Sequence, residues 1–198
     1  MKDNKRILSV QIGDDIRQDL YWADSKDPKC TLEAAKKRIA SLLSQGTIFA
    51  GYNVKFDVRF LEQFLGIGIP ESNILDLSQS PKITQFTGKT KARLEEACVA
   101  CGVEVTHKQR MNDRAQKYKS VQAHKDKAMS KAKELVEGKG WSQDFSYNYA
   151  LNKMAVGNAI YDAYLEFVKS GGQKNTLFYE YAIGDVISEY GLLKKLGY

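Results

Sequence analysis

A short apolar segment at residues 47–52, TIFAGY, runs almost directly into a segment with helical periodicity at residues 57–65. Apolar residues that follow one another without polar alternation are typical of a strand that is buried on both faces. Such a strand needs helices packed on both sides of its sheet, and this requirement constrains the chain more than any other feature. The segment therefore favours an α/β fold over an all-helical or an all-β one.

The other periodic segments agree with this fold class. Alternating apolar residues at 7–13 and a strand-like segment at 19–23 predict a hairpin, with Asp14 and Asp15 in its turn. The chain of 198 residues is of a size that fits one domain. We therefore predict a single α/β domain with mixed strand directions. Residues 73–77 are a further short strand or the entry to a helix, and Thr31 is the predicted N-cap of a helix that extends to about residue 44. Helical periodicity is also found at residues 57–65, 91–101, 141–168 and 177–196.

The positive charge of the chain is concentrated in one segment. Residues 107–140 hold ten Lys/Arg and four Asp/Glu, whereas the rest of the chain holds 20 of each sign. A basic segment of this kind indicates an anionic partner, most often nucleic acid, with Lys125, Lys127, Lys131 and Lys133 as candidate contacts. The alternative is a lysine-rich helix that is merely solvated.

Aromatic residues follow the basic segment. They are Trp141, Phe145, Tyr147 and Tyr149. Lysines that follow phosphates, together with aromatic faces that stack on unpaired bases, are typical of single-strand binding. These rings fit a small separate core equally well, and the sequence leaves both alternatives open.

The cysteines and the N-terminus indicate the compartment. Three cysteines do not form a disulfide framework, and the charged residues 1–6 carry no signal-peptide pattern. We therefore expect an intracellular, cytoplasmic protein without a membrane segment. Cys98-x-x-Cys101 has the spacing of a zinc half-site, but His107 and His124 follow it irregularly, so packed free thiols are the favoured interpretation.

Two aspartates each stand at the end of a short motif, and we expect both to lie in a cleft. Asp57 ends GYNVKFD at residues 51–57, and Asp185 follows Tyr181 by four residues in a predicted helix. Residues four apart on a helix share one face, about one turn apart. Carboxylates suit hard divalent cations such as Mg²⁺ or Mn²⁺, and two such ions can hold both reacting oxygens of a phosphodiester.

These segments resemble the motifs of a known enzyme family. Residues 51–65 resemble the second motif of DEDD-type 3′–5′ exonucleases, in which an Asn precedes Phe-Asp at the start of a helix. Residues 181–185 resemble the third motif of the tyrosine subtype, Tyr-x-x-x-Asp. Asp76 and residues 92–103 match the elements that connect these motifs.

The resemblance is greatest to proofreading domains attached to family-A DNA polymerases, and it covers roughly residues 6–106 and 176–197. Residues 107–175 stand out as a helical insertion that is rich in basic and aromatic residues. The resemblance implies an RNase H-like mixed sheet flanked by helices. It also implies a single exonuclease-like domain that acts on single-stranded DNA or frayed 3′ ends, with a DNA polymerase domain or subunit as a partner.

The resemblance assigns a role to each residue of the site. Asp57 and Asp185 would hold two Mg²⁺ or Mn²⁺ ions, and Tyr181 would orient the attacking water. Asn53 would donate a hydrogen bond to the nucleic-acid backbone or to metal-bound water. Phe56 would lie beside the substrate and wedge into the core beneath the site.

The first motif of the family, Asp-x-Glu on a strand before residue 7, is absent from the chain. In an RNase H-like sheet that strand lies between the strands predicted at residues 7–12 and 47–52. Without it, two apolar strand edges lack partners. Asp3, Asp14 and Asp15 are poor substitutes for the motif.

Three explanations of the missing motif stay open. Upstream residues carry the strand, which is the explanation we favour; or another chain supplies it; or the protein is a degenerate, non-catalytic nucleic-acid-binding or polymerase-accessory module. A metal pair held by Asp57 and Asp185 alone would be weak, because too few anionic oxygens remain.

Overall fold

The structure is a computed structural model that describes residues 6–198. Asp3 lies outside the described residues. The chain forms two compact units. The first comprises residues 6–105 with 182–198, and the second comprises residues 106–181. The boundary after Tyr181 falls within the last helix of the chain.

The first unit begins with the predicted hairpin. Strand β1 (Ser9–Gly13) pairs antiparallel with β2 (Gln18–Trp22). The turn is closed by Asp14, whose carboxylate accepts the N–H groups of Ile16 and Arg17 at 2.9 and 2.8 Å. Hydrogen bonds from the N–H groups of Arg17 and Ile16 hold the pKa of Asp14 below its usual value. Asp14 is therefore a turn residue, as predicted.

A second pair of strands is parallel. Strand β3 (Phe49–Gly51) pairs with β4 (Ile74–Asp76), in a register that sets Gly51 opposite Asp76. Within residues 6–198 the four strands form two separate two-stranded sheets. The mixed α/β class is thus confirmed, whereas the RNase H-like arrangement stays a prediction.

Local sequence signals set the ends of the helices of the first unit. Helix α1 (Leu32–Ser44) is capped by Thr31, whose hydroxyl accepts the N–H of Ala34 at 3.1 Å, as predicted. Helix α2 (Val54–Leu65) begins three residues earlier than expected and ends at Gly66, which has a positive φ of 64°. The other α-helices that contribute to this unit are α3 (Pro81–Thr87), α4 (Leu94–Ala100) and α8 (Leu177–Lys195), and short 3₁₀ turns lie at Pro28–Cys30, Glu71–Asn73 and Leu77–Gln79.

Two clusters of buried residues form the core of the first unit. One cluster joins the hairpin, α1 and the segment after α2, and comprises Val10, Tyr21, Ala35, Ile39, Ile67 and Ile69. The other joins α3, α4 and the end of α8, and comprises Leu77, Ile83, Ala97, Cys98, Leu192 and Leu196. Both clusters combine residues that are distant in sequence, so they fix the tertiary arrangement that positions the candidate site.

The second unit consists of helices. They are α5 (His107–Lys119), α6 (Gln122–Lys139), α7 (Gln143–Lys169) and the first turn of α8. Helix α7 packs against both α5 and α6. Most of the buried residues of these three helices are alanines, with relative exposures of at most 3%: Ala115, Ala128, Ala132, Ala150, Ala155, Ala159 and Ala163. The other buried residues are Met111, Ser146, Tyr164 and Phe167. The basic segment thus has a packing stripe, made of residues too small to mark it in a hydrophobicity pattern.

Polar contacts fasten these helices to one another. The guanidinium of Arg114 on α5 makes two hydrogen bonds to the carboxylate of Glu166 on α7, at 2.7 and 2.5 Å. Arg110 pairs with Glu180, and the hydroxyl of Tyr118 donates to Asp162. None of the helices within residues 6–198 combines the length and the apolar character that a membrane span requires.

A close approach of β1 to α8 gives a test of this packing. A Cβ added to Gly13 would lie 2.6 Å from Cγ1 of Val186, whereas nothing lies within 4 Å of the corresponding position at Gly68. We expect Gly13→Ala to lower the free energy of unfolding by about 1–3 kcal/mol, because the short valine side chain must move. Gly68→Ala, the matched control, should be neutral or stabilise by about 0.4–1 kcal/mol. Urea denaturation measures both, and equal effects of the two variants would contradict this packing.

Candidate functional site

The parallel strands end at one place, and the candidate site begins there. Because the carboxyl ends of parallel strands meet at the same edge, Asn53, which follows β3, lies near the side chain of Asp76 at the end of β4. The N–H of Asn53 donates to Oδ1 of Asp76 at 2.9 Å. The same carboxylate oxygen accepts the N–H and the hydroxyl of Ser78 at 3.0 and 2.7 Å. Asp76 thus orders the connection from β3 to α2.

The backbone of Asn53 is unusual. Its φ of 62° makes it the sole non-glycine residue with positive φ among residues 6–198. Asparagine tolerates this left-handed conformation better than most residues. The left-handed conformation turns the chain sharply from β3 into α2. The side chain of Asn53 makes no capping hydrogen bond to α2. Asn53 is exposed, and its predicted contact with substrate stays a prediction.

Asp57 lies in the first turn of α2 and has the most informative electrostatics of the chain. Its pKa is raised from 3.8 to about 6. The largest cause is desolvation of the carboxyl by surrounding protein, although the residue as a whole keeps substantial exposure. The negative charges of Asp185 and Asp76 raise the pKa further, and the residue's own N–H opposes them. Three carboxylates from α2, α8 and β4 therefore converge electrostatically.

A fourth carboxylate approaches from α8. Oε1 of Glu189 accepts the N–H of Tyr52 at 3.2 Å, and its Oε2 lies 3.5 Å from the Cβ position of Gly51. Glu189 follows Asp185 by four residues, so the two carboxylates lie on one face of the helix. Glu189 was not predicted as a site residue. Its spacing from Asp185 is the sequence signal that could have identified it.

Tyr181 precedes Asp185 by one turn of the same helix and is half-buried. Its ring meets that of His107 edge-on, with centroids 6.0 Å apart and planes at 63°. The spacing of four residues puts Tyr181 and Asp185 on one helical face, as the sequence predicts. The role of Tyr181 in orienting water stays a prediction.

Phe56 departs from one expectation. Its side chain is 48% exposed, so the expectation that it wedges into the core is wrong. It packs on Phe60 at a ring-centroid distance of 4.7 Å, and Phe60 packs on Phe64 at 5.6 Å. Positions four apart on a helix place these rings along one face, and the first ring of the row is left partly open to solvent. An exposed ring next to Asp57 in sequence keeps its predicted contact with substrate open.

Two carboxylates of the site have the chemistry of ligands for a divalent cation. Carboxylate oxygens are the ligands that Mg²⁺ and Mn²⁺ prefer, and Asp57 and Asp185 offer them. Among residues 6–198, however, no three His, Cys, Asp or Glu side chains form a group that could hold a metal ion. The role of Asp57 and Asp185 as metal ligands therefore stays a prediction.

The first unit contains a cavity beside its strands. Residues of β1 and β3 line this cavity of about 300 Å³, together with residues of the hairpin turn, β2, α1 and α8. Among the described residues no further strand pairs with β1 or β3. Nε of Arg38, a residue that lines this cavity, has no hydrogen-bond partner. Ile12, Phe49 and Leu193 give the cavity apolar walls.

The four candidate lysines do not form one stripe. Lys125, Lys127, Lys131 and Lys133 all lie on α6, and Lys127 and Lys131 share a face one turn apart. Lys133 lies on a different side of the helix, and Lys131 forms an ion pair with Glu134. A contact of all four with one straight strand is therefore not supported by this geometry.

The residues of the rival zinc pattern have other partners. Cys98 is fully buried in the second core cluster, and its Sγ lies 3.9 Å from the carbonyl oxygen of Ser188. Cys101 is half-buried and also packs against that cluster. His124, in the second unit, lies within hydrogen-bond distance of the carbonyl of Tyr118 and the amide of Asn158, at 2.9 and 3.2 Å. The packing role predicted for Cys98 is confirmed.

Comparison with protein-family models, with curated proteins and with solved structures found no match for this chain.

The raised pKa of Asp57 predicts a pH-dependent gain in stability on neutralising it. Above pH 6 the folded protein holds an ionised carboxylate that is more stable in the unfolded chain, whereas near pH 4.5 the folded protein holds the neutral acid. We expect Asp57→Asn to raise the free energy of unfolding more at pH 8 than at pH 4.5, measured by urea denaturation. Asp14→Asn, the control, should lower it by similar amounts at both pH values, because the pKa of Asp14 is already low. A gain that is independent of pH would contradict the assignment.

A second variant tests whether the carboxylates are close. Asp185→Asn removes a negative charge that raises the pKa of Asp57, so that pKa should fall. It should stay above its ordinary value, because desolvation is the larger cause. Side-chain carboxyl ¹³C NMR titration measures the shift, with Asp113→Asn in the second unit as the control. An unchanged pKa of Asp57 would show that Asp185 is out of electrostatic range.

Proposed function

We propose that the chain is a metal-dependent 3′–5′ exonuclease domain of the proofreading type, which hydrolyses terminal phosphodiesters of single-stranded DNA. The observation that carries the proposal is the electrostatic convergence of Asp57, Asp185 and Asp76 at the end of the parallel strands. The order and spacing of the resembled motifs support it. Frayed 3′ ends and a DNA polymerase domain or subunit are the partners that this function implies.

The chemistry follows from the side chains of the site. Mg²⁺ or Mn²⁺, when bound, would stabilise negative charge that develops on the reacting phosphoryl oxygens. Asp57 and Asp185 would hold the cation, and a cation would in turn favour the ionised form of Asp57. Asp76 accepts the N–H of Asn53 and so stabilises the turn that contains Asn53. This turn positions the start of α2.

Tyr181 and Asn53 would act on the substrate and water. The phenol of Tyr181 can accept a hydrogen bond from an attacking water and so orient its lone pair. The side-chain amide of Asn53 can donate to a phosphate oxygen. Both roles need only a hydrogen-bonding group at the right position.

A second function is favoured by one observation. Because the Asp-x-Glu motif is absent from the chain, a degenerate module that binds nucleic acid without cleaving it is the alternative. Such a module would show salt-sensitive binding to single strands and no metal-dependent hydrolysis.

The experiment that separates the two functions is metal-dependent release of mononucleotides from a 5′-labelled single-stranded oligodeoxynucleotide. We expect release with Mg²⁺ or Mn²⁺, stopped by EDTA, with products that shorten from the 3′ end. Asp185→Ala and Asp57→Ala should each lower the rate at least 100-fold, because each removes an anionic ligand.

Asp113→Ala is the matched control, since Asp113 is an exposed helical aspartate of the second unit, and its rate should be unchanged. Full activity of Asp185→Ala would remove this site assignment. Absence of hydrolysis by the unaltered chain with either metal, together with salt-sensitive binding, would favour the binding module.

A further inference from the structure

Three aromatic rings form a cluster at the N-terminal end of α7. Phe145 and Tyr149 lie one turn apart, with ring centroids separated by 6.3 Å and planes within 26° of parallel. Trp141 meets both rings edge-on, at centroid distances of 5.1 and 5.3 Å. We call these three rings the aromatic patch. Tyr147 points from a different side of the helix and is not part of it.

The aromatic patch is not a buried core. Phe145 is 54% exposed and Tyr149 is 37% exposed, whereas Ser146 and Ala150 on the adjacent face are buried. At this end of α7 the buried positions are these small residues, and Phe145 and Tyr149 lie on a more exposed face. Of the two alternatives that the sequence left open, this exposure favours a binding surface.

A lysine stands at each end of the patch. Nζ of Lys139 lies 4.6 Å from the ring centroid of Trp141, and Nζ of Lys153 lies 5.7 Å from that of Tyr149. The eight helical steps from Phe145 to Lys153 extend about 12 Å along the helix, which is the length of about three nucleotides at duplex spacing. The second unit as a whole holds 13 Lys/Arg and 8 Asp/Glu, a net charge of +5.

We propose that the aromatic patch with Lys139 and Lys153 is a binding site for single-stranded nucleic acid. Unpaired bases would stack on the exposed rings, and the two ammonium groups would contact flanking phosphates. Bases within a duplex are already stacked on one another, so the site selects single strands. The proposal deepens the proposed function by locating a substrate-binding surface, and in that respect it rests on the proposed function.

Charge decides between a polyanion and an apolar protein surface as the occupant. A protein partner that covered the rings would also have to cover two ammonium groups, at a cost in desolvation. A nucleic acid offers each lysine a phosphate and each ring a base. The flexible lysine stems allow the ammonium groups to leave the ring faces when a base stacks there.

The experiment uses the full chain in EDTA, so that hydrolysis does not interfere. The chain has two tryptophans, and Trp22→Phe leaves Trp141 as the sole reporter. A 15-mer of oligo(dT) should quench Trp141 fluorescence, and a 15-mer of oligo(rU) tests whether RNA is also bound. The same oligo(dT) paired with oligo(dA) should bind at least fivefold more weakly, because its bases are not available for stacking.

Ring variants test the stacking. Phe145→Leu with Tyr149→Leu keeps apolar side chains but removes the rings, and affinity for oligo(dT), measured by anisotropy, should fall at least fivefold. Tyr161→Ala is the matched control, an exposed aromatic about 18 Å further along α7, and it should have no effect. Circular dichroism and an unchanged thermal midpoint establish that each variant folds.

Charge variants test the phosphate contacts. Lys139→Gln with Lys153→Gln should reduce the dependence of log affinity on log salt by about 1.4, the value for two single-strand phosphates. Lys174→Gln is the control, since this lysine also lies over a ring, that of Tyr179, but follows the opposite end of α7. Its salt dependence should equal that of the unaltered chain.

Each outcome bears on the site separately from the catalytic proposal. Unchanged affinity of the leucine double variant, equal binding of duplex, or a change in oligomeric state instead of binding would overturn the proposed site. If hydrolysis is absent while ring-dependent binding is present, the catalytic proposal fails and the binding site stands.

Discussion

The parallel pairing of β3 with β4 is the constraint on which the rest of the candidate site depends. Its register sets Gly51 opposite Asp76, and this lets the carboxylate of Asp76 accept the N–H of Asn53. That hydrogen bond helps hold the left-handed turn from which α2 begins, and so places Asp57 in the first helical turn. A slip of one residue would turn every side chain of the short strand to the other face. One strand pair thus fixes the start of α2.

Stability and the proposed chemistry make opposite demands on this site. Carboxylates gathered at one end of a sheet repel one another, and the raised pKa of Asp57 reports that repulsion together with desolvation. A chain selected for stability alone would place a neutral side chain there. A cation reverses the balance, because it turns adjacent negative charges into a favourable arrangement. Glu189 differs in this respect, since the N–H of Tyr52 satisfies one of its oxygens.

Local patterns predicted the elements of the fold well, and contacts between distant segments were the part that could not be predicted. The hairpin, the Thr31 cap and the Tyr181–Asp185 spacing each depend on residues a few positions apart. The spacing of Glu189 from Asp185 indicates a shared helical face, but no local pattern identifies its partner, the N–H of Tyr52, which is 137 residues away in sequence. The packing of the second unit was missed for another reason. Its stripe is made of alanines, which a search for large apolar residues overlooks.

Packing through alanine has a consequence for the surface of the second unit. Small residues make most of the buried positions of α5, α6 and α7. Tyr164 and Phe167 are buried as well, whereas Phe145, Tyr149 and Tyr161 on α7 are exposed. The first unit gathers carboxylates and carries no net charge, since residues 6–105 and 182–198 hold 15 Lys/Arg and 15 Asp/Glu. An acidic site by itself repels a polyanion, so affinity for nucleic acid has to come from elsewhere in the chain. The lysines and exposed rings of the second unit are the groups in this sequence whose chemistry meets that need.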